Sequence, residues 1–262
     1  MLLPVLAISG FAALILLEHR APLRRQSERE PVRSVRNLAL GALSMAVVAL
    51  AERPVVSRLA ELVERRRWGL FQRLPLPAPV RDGLAVLGMD YTIYLWHILT
   101  HKVPFLWRFH LVHHIDLDMD STTALRFHAL DMLISIPWRV AQVAVLGTSR
   151  RALLLWQGFF FASVLFHHSN LRLPARLERR LAGVLTTPRM HGIHHSTVRT
   201  ETDSNWSSGL SLWDHLHGTF RLDDTQRGGR IGVPAYREPE ETRLGASLAM
   251  PFRRQRDAWA GR

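Results

Sequence analysis

Residues 83–101 read Gly83-Leu-Ala-Val-Leu-Gly-Met-Asp90-Tyr-Thr-Ile-Tyr-Leu-Trp-His97-Ile-Leu-Thr-His101, an apolar run interrupted by one carboxylate and closed by two histidines. Such a run is close to the ~20 residues a helix needs to cross the hydrocarbon core of a bilayer. The composition recurs. Met132–Ser149 is interrupted only by Arg139, and Ala152–Leu171 carries no charge and also ends in histidines. Only Gly147-Thr-Ser-Arg-Arg151 separates these two runs, so an antiparallel helical hairpin is expected.

Upstream, Met1–Leu17 is uncharged and then meets Glu18-His19-Arg20. The charge follows the apolar core and no small-residue cleavage site is evident, so the run reads as a retained helix and not as a signal peptide. Asn37–Ala51 is a second, shorter uncharged run. Residues Ser57–Phe71 set Leu59, Leu62 and Val63 against Arg58, Glu61, Glu64 and Arg65–Arg67, the pattern of an amphipathic helix lying on a membrane surface. Pro75, Pro77 and Pro79 end it.

Arginine counting gives an orientation. Residues 172–262 hold 15 of the 33 arginines and residues 18–36 hold six more, which places both in the cytoplasm and the N-terminus outside. Residues 52–81, with seven arginines, would then lie outside, which favours a second run that enters and returns without crossing. Arg20, Arg24, Arg25, Arg29, Arg33 and Arg36 stand beside apolar runs, where anionic lipid headgroups attract them.

Over 262 residues the formal charge is +12, yet Lys102 is the only lysine. The mean hydropathy of +0.01 averages apolar runs with arginine-rich segments and describes neither. A pI near 11.4 suits a nucleic-acid binder, but the arginines form no single stripe, and no nucleic-acid partner is expected. The absence of cysteine removes disulfides, thiolate zinc sites and iron–sulfur clusters together.

Thirteen of the 14 histidines fall between positions 97 and 217. His97-Ile-Leu-Thr-His101 is H-x-x-x-H, and His110-Leu-Val-His113-His114 and His191-Gly-Ile-His194-His195 are both H-x-x-H-H. On a helix, positions i, i+3 and i+4 lie within roughly 5–6 Å at Cβ, so each group can converge on a small volume. Adjacent residues such as His113 and His114 point about 100° apart and would serve different ions. Eight or more imidazoles also exceed the roughly four to six ligands of one ion, so two metals are implied. H-E-x-x-H and Glu-x-x-His are both absent. A pair of irons held by histidine fits best, while softness alone leaves copper and zinc open.

Imidazole ligands are neutral, so the site needs groups that hold the second ring nitrogens and offset charge. Asp90, Asp116, Asp118, Asp120, Asp131, Asp203 and Asp214 are the candidates. Asp90 lies two turns before His97 on the same face, or else caps its helix at the water interface. Asn170 and Asn205 position a ligand or water, or cap helices. His215 and His217 read as exposed and His19 as interfacial. Trp96, Trp107, Trp138 and Trp156 anchor spans or wall a lipid pocket.

With these residues in view, the chain resembles the fatty acid hydroxylase/sterol desaturase superfamily, in particular its bacterial sterol-desaturase-like members. The resemblance rests on the three boxes in order, on Leu106-Trp-Arg-Phe-His110-Leu-Val-His113-His114 with Thr122-Thr-Ala-Leu-Arg-Phe-His128, and on Phe166-His-His168-Ser-Asn170 with Thr187-Pro-Arg-Met-His191. Glu201-Thr-Asp-Ser-Asn205, Leu210-Ser-Leu-Trp-Asp214 and Gly218-Thr-Phe220 continue it, so that it covers about Asp90 to Phe220. Ile98, Ala129 and Asp131 stand where the family commonly has arginine, proline and glutamate.

The resemblance implies an integral membrane di-iron oxidoreductase that uses dioxygen and supplied electrons to hydroxylate or desaturate a lipid. It carries His97, His101, His110, His113, His114, His191, His194 and His195 over as metal ligands, followed by His168 and then His128. Two irons per chain are expected, with zinc able to enter during purification. Since the chain has no G-x-G-x-x-G, haem motif or cysteine, electrons must come from a separate reductase, ferredoxin or cytochrome. The rival readings are a membrane zinc-dependent lipid hydrolase and a non-enzymatic metal transporter.

The expected fold is all-α. About four to five membrane-embedded helices form a bundle, and a cytosolic helical cap holds a histidine-lined dimetal site. Residues 1–81 are read as N-terminal membrane helices and connector, 82–220 as a fatty acid hydroxylase-like catalytic domain, and 221–262 as a basic tail. The expected location is the bacterial inner membrane, multi-pass, with the metal site facing the cytoplasm.

Overall fold

The computed structural model describes residues 2–28, 30–223 and 229–260, which are helical with no strand among them beyond isolated bridges. Seven helices build the body: α1 (Leu2–Arg20), α2 (Glu30–Val47), α3 (Arg53–Arg66), α4 (Ala78–Lys102), α5 (Pro104–His114), α6 (Ala129–Leu146) and α7 (Arg150–His168). Shorter helices α8 (Ala175–Ala182), α9 (Pro188–His194), α10 (Arg199–Thr202), α11 (Leu212–His217) and α12 (Leu244–Ala249) follow.

The run expected to enter and return does not turn back. A π-turn at Val48–Glu52 joins α2 to α3 without a break, and the helix continues along the body beside α6. At one end Ser44 Oγ donates to the Phe127 carbonyl; at the other, Leu70 N–H donates to the Val145 carbonyl. The surface-lying assignment of the second half is also corrected. Val56, Ala60 and Val63 of α3 are fully buried against Met89, Ile93, Val143, Leu153 and Trp156. The buried stripe runs i, i+4, i+7, so it takes in Ala60 and leaves out Leu59 and Leu62.

Local chemistry fixes the turns. Val103, forced into an extended conformation by the following proline, ends α4, and Pro104 opens α5 at the position where a missing N–H costs nothing. That bend folds the second histidine box back beside the first. Ser149 caps α7 by accepting from Ala152 N–H, and Gly147 (φ 75°) ends α6 in the left-handed region. A Cβ on Gly69 would lie 2.3 Å from Gly147 N, so the end of α3 meets this turn backbone to backbone. The turn reverses the chain as expected, but α6 and α7 diverge from it, and α3 and α4 pack between them.

Two buried arginines of the body have partners. Arg139 stands 3.7 Å from Glu52, 2.5 Å from Gln142 and 4.5 Å over the Trp156 ring, so Trp156 serves the core and does not anchor a span. Arg33, read as facing headgroups, is 1% exposed. Its Nε and Nη2 each lie 2.9 Å from an Asp116 oxygen, Nη2 reaches the Thr123 hydroxyl at 2.6 Å, and Nη1 contacts Asp120. Arg36 pairs with Glu28; Arg29 lies outside the described residues.

The segment read as a basic tail is folded where it is described. Val233, Tyr236, Met250 and Ala258 are buried with Leu40, Leu111, Val112 and Ile115, which locks residues 229–260 onto α2 and α5. Among the described residues, two helices are long and apolar enough to cross a bilayer: the continuous Pro31–Arg73 helix and Ala129–Leu146.

Candidate metal centre

Four elements deliver the histidines to one end of the bundle: the last turns of α4 and α7, the whole of α5, and α9 above them. They divide into two groups. His97, His101, His114 and His194 form one and His113, His168, His191 and His195 the other, with the ligand atoms of each group all within 4.8 Å of one another. Adjacent residues part company as the ~100° helical rotation requires: His113 and His114 serve different groups, and so do His194 and His195.

In the second group the Nε2 atoms are separated by 3.0 Å (His113 to His168), 3.0 Å (His168 to His191) and 3.1 Å (His191 to His195). Ligands on one ion at bonds of roughly 2.1 Å lie about 3.0–3.4 Å apart, so these separations match the edges of a coordination polyhedron. In the first group the Nε2 atoms of His101, His114 and His194 are buried and meet no protein partner. Buried imidazole nitrogens facing one another without donors are costly until a cation enters between them. The residues therefore fit two ions, each offered four neutral nitrogen donors.

The opposite ring nitrogens explain how the rings are aimed. His97 Nδ1 faces the Trp206 carbonyl at 2.7 Å, His113 Nδ1 the Arg126 carbonyl at 3.3 Å, His168 Nδ1 the Val164 carbonyl at 2.8 Å, and His194 Nδ1 the Ser204 carbonyl at 2.9 Å. A carbonyl on Nδ1 holds the proton there and leaves Nε2 free to ligate. Backbone oxygens thus take the role sought among carboxylates. Of those, only Asp131 meets a box histidine, with Oδ2 3.4 Å from His110 Nδ1. Asp90 accepts from Leu210 N–H at 3.1 Å and Trp213 Nε1 at 2.7 Å, which fixes the 209–213 turn. Asp214 accepts from Trp206 and Ser207 N–H at 2.8 and 3.0 Å, and so places the carbonyl that His97 uses. Asn170 binds Arg24 on both of its amide atoms, at 2.8 and 2.9 Å. Asn205, at φ 53°, ties Met190 to Arg221. Asp118 accepts from Ser27 and Glu28, and Asp203 pairs with Lys102 at 2.6 Å.

Two of the ten histidines expected as ligands lie outside the four-membered groups. His110 is buried with its ring centroid 5.0–5.3 Å from those of His97, His101, His113 and His114, and its Nε2 has no protein partner. His128 is not brought to the centre. Its Nδ1 accepts from Leu130 N–H at 3.1 Å, capping α6, while Nε2 lies 3.3 Å from the Leu248 carbonyl. His167 stacks within 4.0 Å of His191. Trp206, which the sequence did not single out, closes the first group, with ring centroids 5.6, 4.8 and 5.1 Å from His97, His101 and His194. Trp107 covers His101 and His114 from the other side, at 4.9 and 5.5 Å.

Electrostatics keep the ligands neutral. Burial, reinforced by neighbouring imidazoles, pushes His113, His114, His191 and His195 well below the ordinary histidine value, and His194 down to about 3. Burial alone would raise Asp116, but the guanidiniums of Arg33 and Arg126 outweigh it and hold the carboxyl below its usual range. Burial lowers Arg126 to about 10. This arginine grips the Val112 carbonyl at 2.9 Å while its own carbonyl faces His113, so it sets the second box from both sides.

The sequence profile of the fatty acid hydroxylase family matches residues 83–219, which contain every histidine of both groups. The chain belongs to the fatty acid hydroxylase family. Within that superfamily it is 32% identical over 184 residues to an ornithine lipid hydroxylase, OlsE, of Rhizobium tropici, covering 69% of this chain and 52% of that protein. It is 29% identical over 156 residues to human alkylglycerol monooxygenase, covering 58% of this chain and 33% of the relative. Rat cholesterol 25-hydroxylase is 28% identical over 156 residues, covering 56% of this chain and 51% of the relative. The chain thus spans a third to a half of the length of these relatives. No solved structure matches it at a significant level.

Proposed function

We propose that this family member is a membrane-bound di-iron oxygenase that hydroxylates a lipid with dioxygen and externally supplied electrons. The observation that carries the reading is the division of eight histidines, seven of them buried and His101 half-buried, into two convergent groups that share the second and third boxes. His97, His101, His114 and His194 would hold one iron, and His113, His168, His191 and His195 the other. His110 stands between them as a further donor, and His128 serves as a helix cap. Two irons in such a site supply the oxidising power that an unactivated C–H bond demands.

The protein's own groups then have limited tasks. Backbone carbonyls hold protons on Nδ1, Trp107 and Trp206 exclude water, and the bend at Val103–Pro104 keeps boxes one and two in register. Hydroxylation is favoured over desaturation because the relatives are a lipid hydroxylase, a monooxygenase and a sterol hydroxylase. Electrons come from a separate reductase, ferredoxin or cytochrome. We place four to five helices in the membrane, with the histidine end toward the cytoplasm, following the arginine-rich segments at 18–36 and 172–262.

The test is reconstitution. Protein stripped of metal and reloaded anaerobically with ferrous iron should hold two irons per chain and, given electrons and isotopically labelled dioxygen, place the label in a lipid product. Oxygen-independent release of an acyl or amide fragment by the zinc-loaded protein would replace this reading with the hydrolase.

A further inference from the structure

The ends of α1 and α7 border a surface cavity of about 790 Å³ that no part of the proposed oxidation uses. Arg24, Arg25 and Arg172 line it, and a second cavity of about 160 Å³ shares Arg24 and Arg25 and adds Arg230 and Arg237. Two carboxylates also line these cavities, Glu18 the larger and Asp118 the smaller, and both accept hydrogen bonds from uncharged donors. Glu18 accepts from the Ser121 hydroxyl and N–H at 2.7 and 3.1 Å and from Asn170 N–H at 2.8 Å. Asp118 accepts from Ser27 N–H and hydroxyl, both at 2.9 Å, and from Glu28 N–H at 2.8 Å. Among the described residues, five arginines and two carboxylates line the two neighbouring cavities. Burial and the adjacent Arg230 lower the pKa of Arg237, against the opposing pull of Asp118.

The shape selects among anions. The larger volume lies within the 300–1,000 Å³ of small-molecule sites. On its α1 side the residues just before Glu18 are apolar and exposed, with Leu16 59% and Leu17 48% accessible. A basic chamber with an apolar lip, at the level where an apolar helix meets its first charges, suits a molecule that is anionic at one end and hydrocarbon at the other.

We propose that this chamber seats the phosphate-bearing headgroup of a membrane lipid, its acyl chains lying against the exposed face of α1. The seat adjoins the third histidine box. A Cβ on Gly192 would lie 1.6 Å from Arg24 Nη2, so the Arg24 guanidinium crosses α9 between His191 and His194. A headgroup held by Arg24 thereby braces the helix that supplies three histidines to the metal groups.

The test measures binding alone, so it stands or falls separately from the oxygenase reading. The detergent-solubilised full chain is titrated with a fluorescent phosphatidic acid. Arg25→Gln/Arg172→Gln alters two exposed residues and should weaken binding at least tenfold, whereas Arg65→Gln/Arg66→Gln, at the far end of α3, should leave it unchanged. Equal binding by the first double variant, or equal loss in the second, overturns the proposal. So does displacement of the probe by neutral diacylglycerol at matching concentrations. Displacement by inorganic phosphate at those concentrations would assign the chamber to a free anion and overturn the lipid.

Discussion

Replacing Arg33 by methionine tests how the N-terminal region is joined to the metal end. Arg33 is 1% exposed and its guanidinium neutralises Asp116 and Asp120, which are 0% and 2% exposed. Methionine fills much of the volume but leaves two buried carboxylates with only the more distant Arg126 guanidinium to offset them. Breaking a buried pair in this way costs about 3–5 kcal/mol, because the remaining charge is uncompensated. For a chain of this size each kcal/mol moves the midpoint by roughly 2–4 °C, so thermal unfolding in detergent should fall by about 6–20 °C. Asp116→Asn combined with Arg33→Met should recover part of that loss, since one stranded charge is removed, giving a coupling of about 1–3 kcal/mol in a double-mutant cycle. A midpoint lowered by less than about 2 °C in Arg33→Met, or strictly additive losses in the double variant, would mean that Arg33 faces lipid headgroups and that the buried network is not formed.

Single-ligand replacements should separate the two metals. His194→Ala and His195→Ala should each lose close to one of two bound irons, and the double variant close to both; equal loss of both irons from either single variant would refute the division. Because burial depresses these histidines, the unfolded chain binds more protons than the folded one between about pH 6.5 and the lower folded values. Stability of the metal-free protein should therefore decline as pH falls below about 6.5, by up to about 1.4 kcal/mol per pH unit for each histidine, and a flat thermal midpoint from pH 7.5 to 5.5 would contradict it. Gly69→Ala, at φ 82° and 2.3 Å from backbone, should destabilise by at least about 2 kcal/mol. Gly158→Ala, on α7 with nothing within 4 Å, should be neutral or stabilising in the same melt.

Much of the centre was legible because helical spacing and ligand type are written in the residues themselves. The split of His113 from His114 needed only the rotation per residue. What could not be read depended on atoms that every residue carries or on partners far along the chain. The carbonyls of Trp206, Arg126 and Ser204 orient three of the rings, and no side-chain pattern marks a carbonyl. Arg33 looked like a headgroup contact because Asp116, its partner, lies 83 residues away. The stripe on α3 was misplaced because Ala60 does not register as a core residue until a neighbour packs on it. His128 belongs to a recurring stretch of the family, yet its ring caps a helix.

Helix α9 and its C-cap residue His195 reach both histidine groups at once, with His194 turned to one and His191 and His195 to the other. The spacing between the two histidine groups is thus set by a single helical turn and not left to the meeting of separate loops. Any change that rolled this turn would shift donors in both groups together.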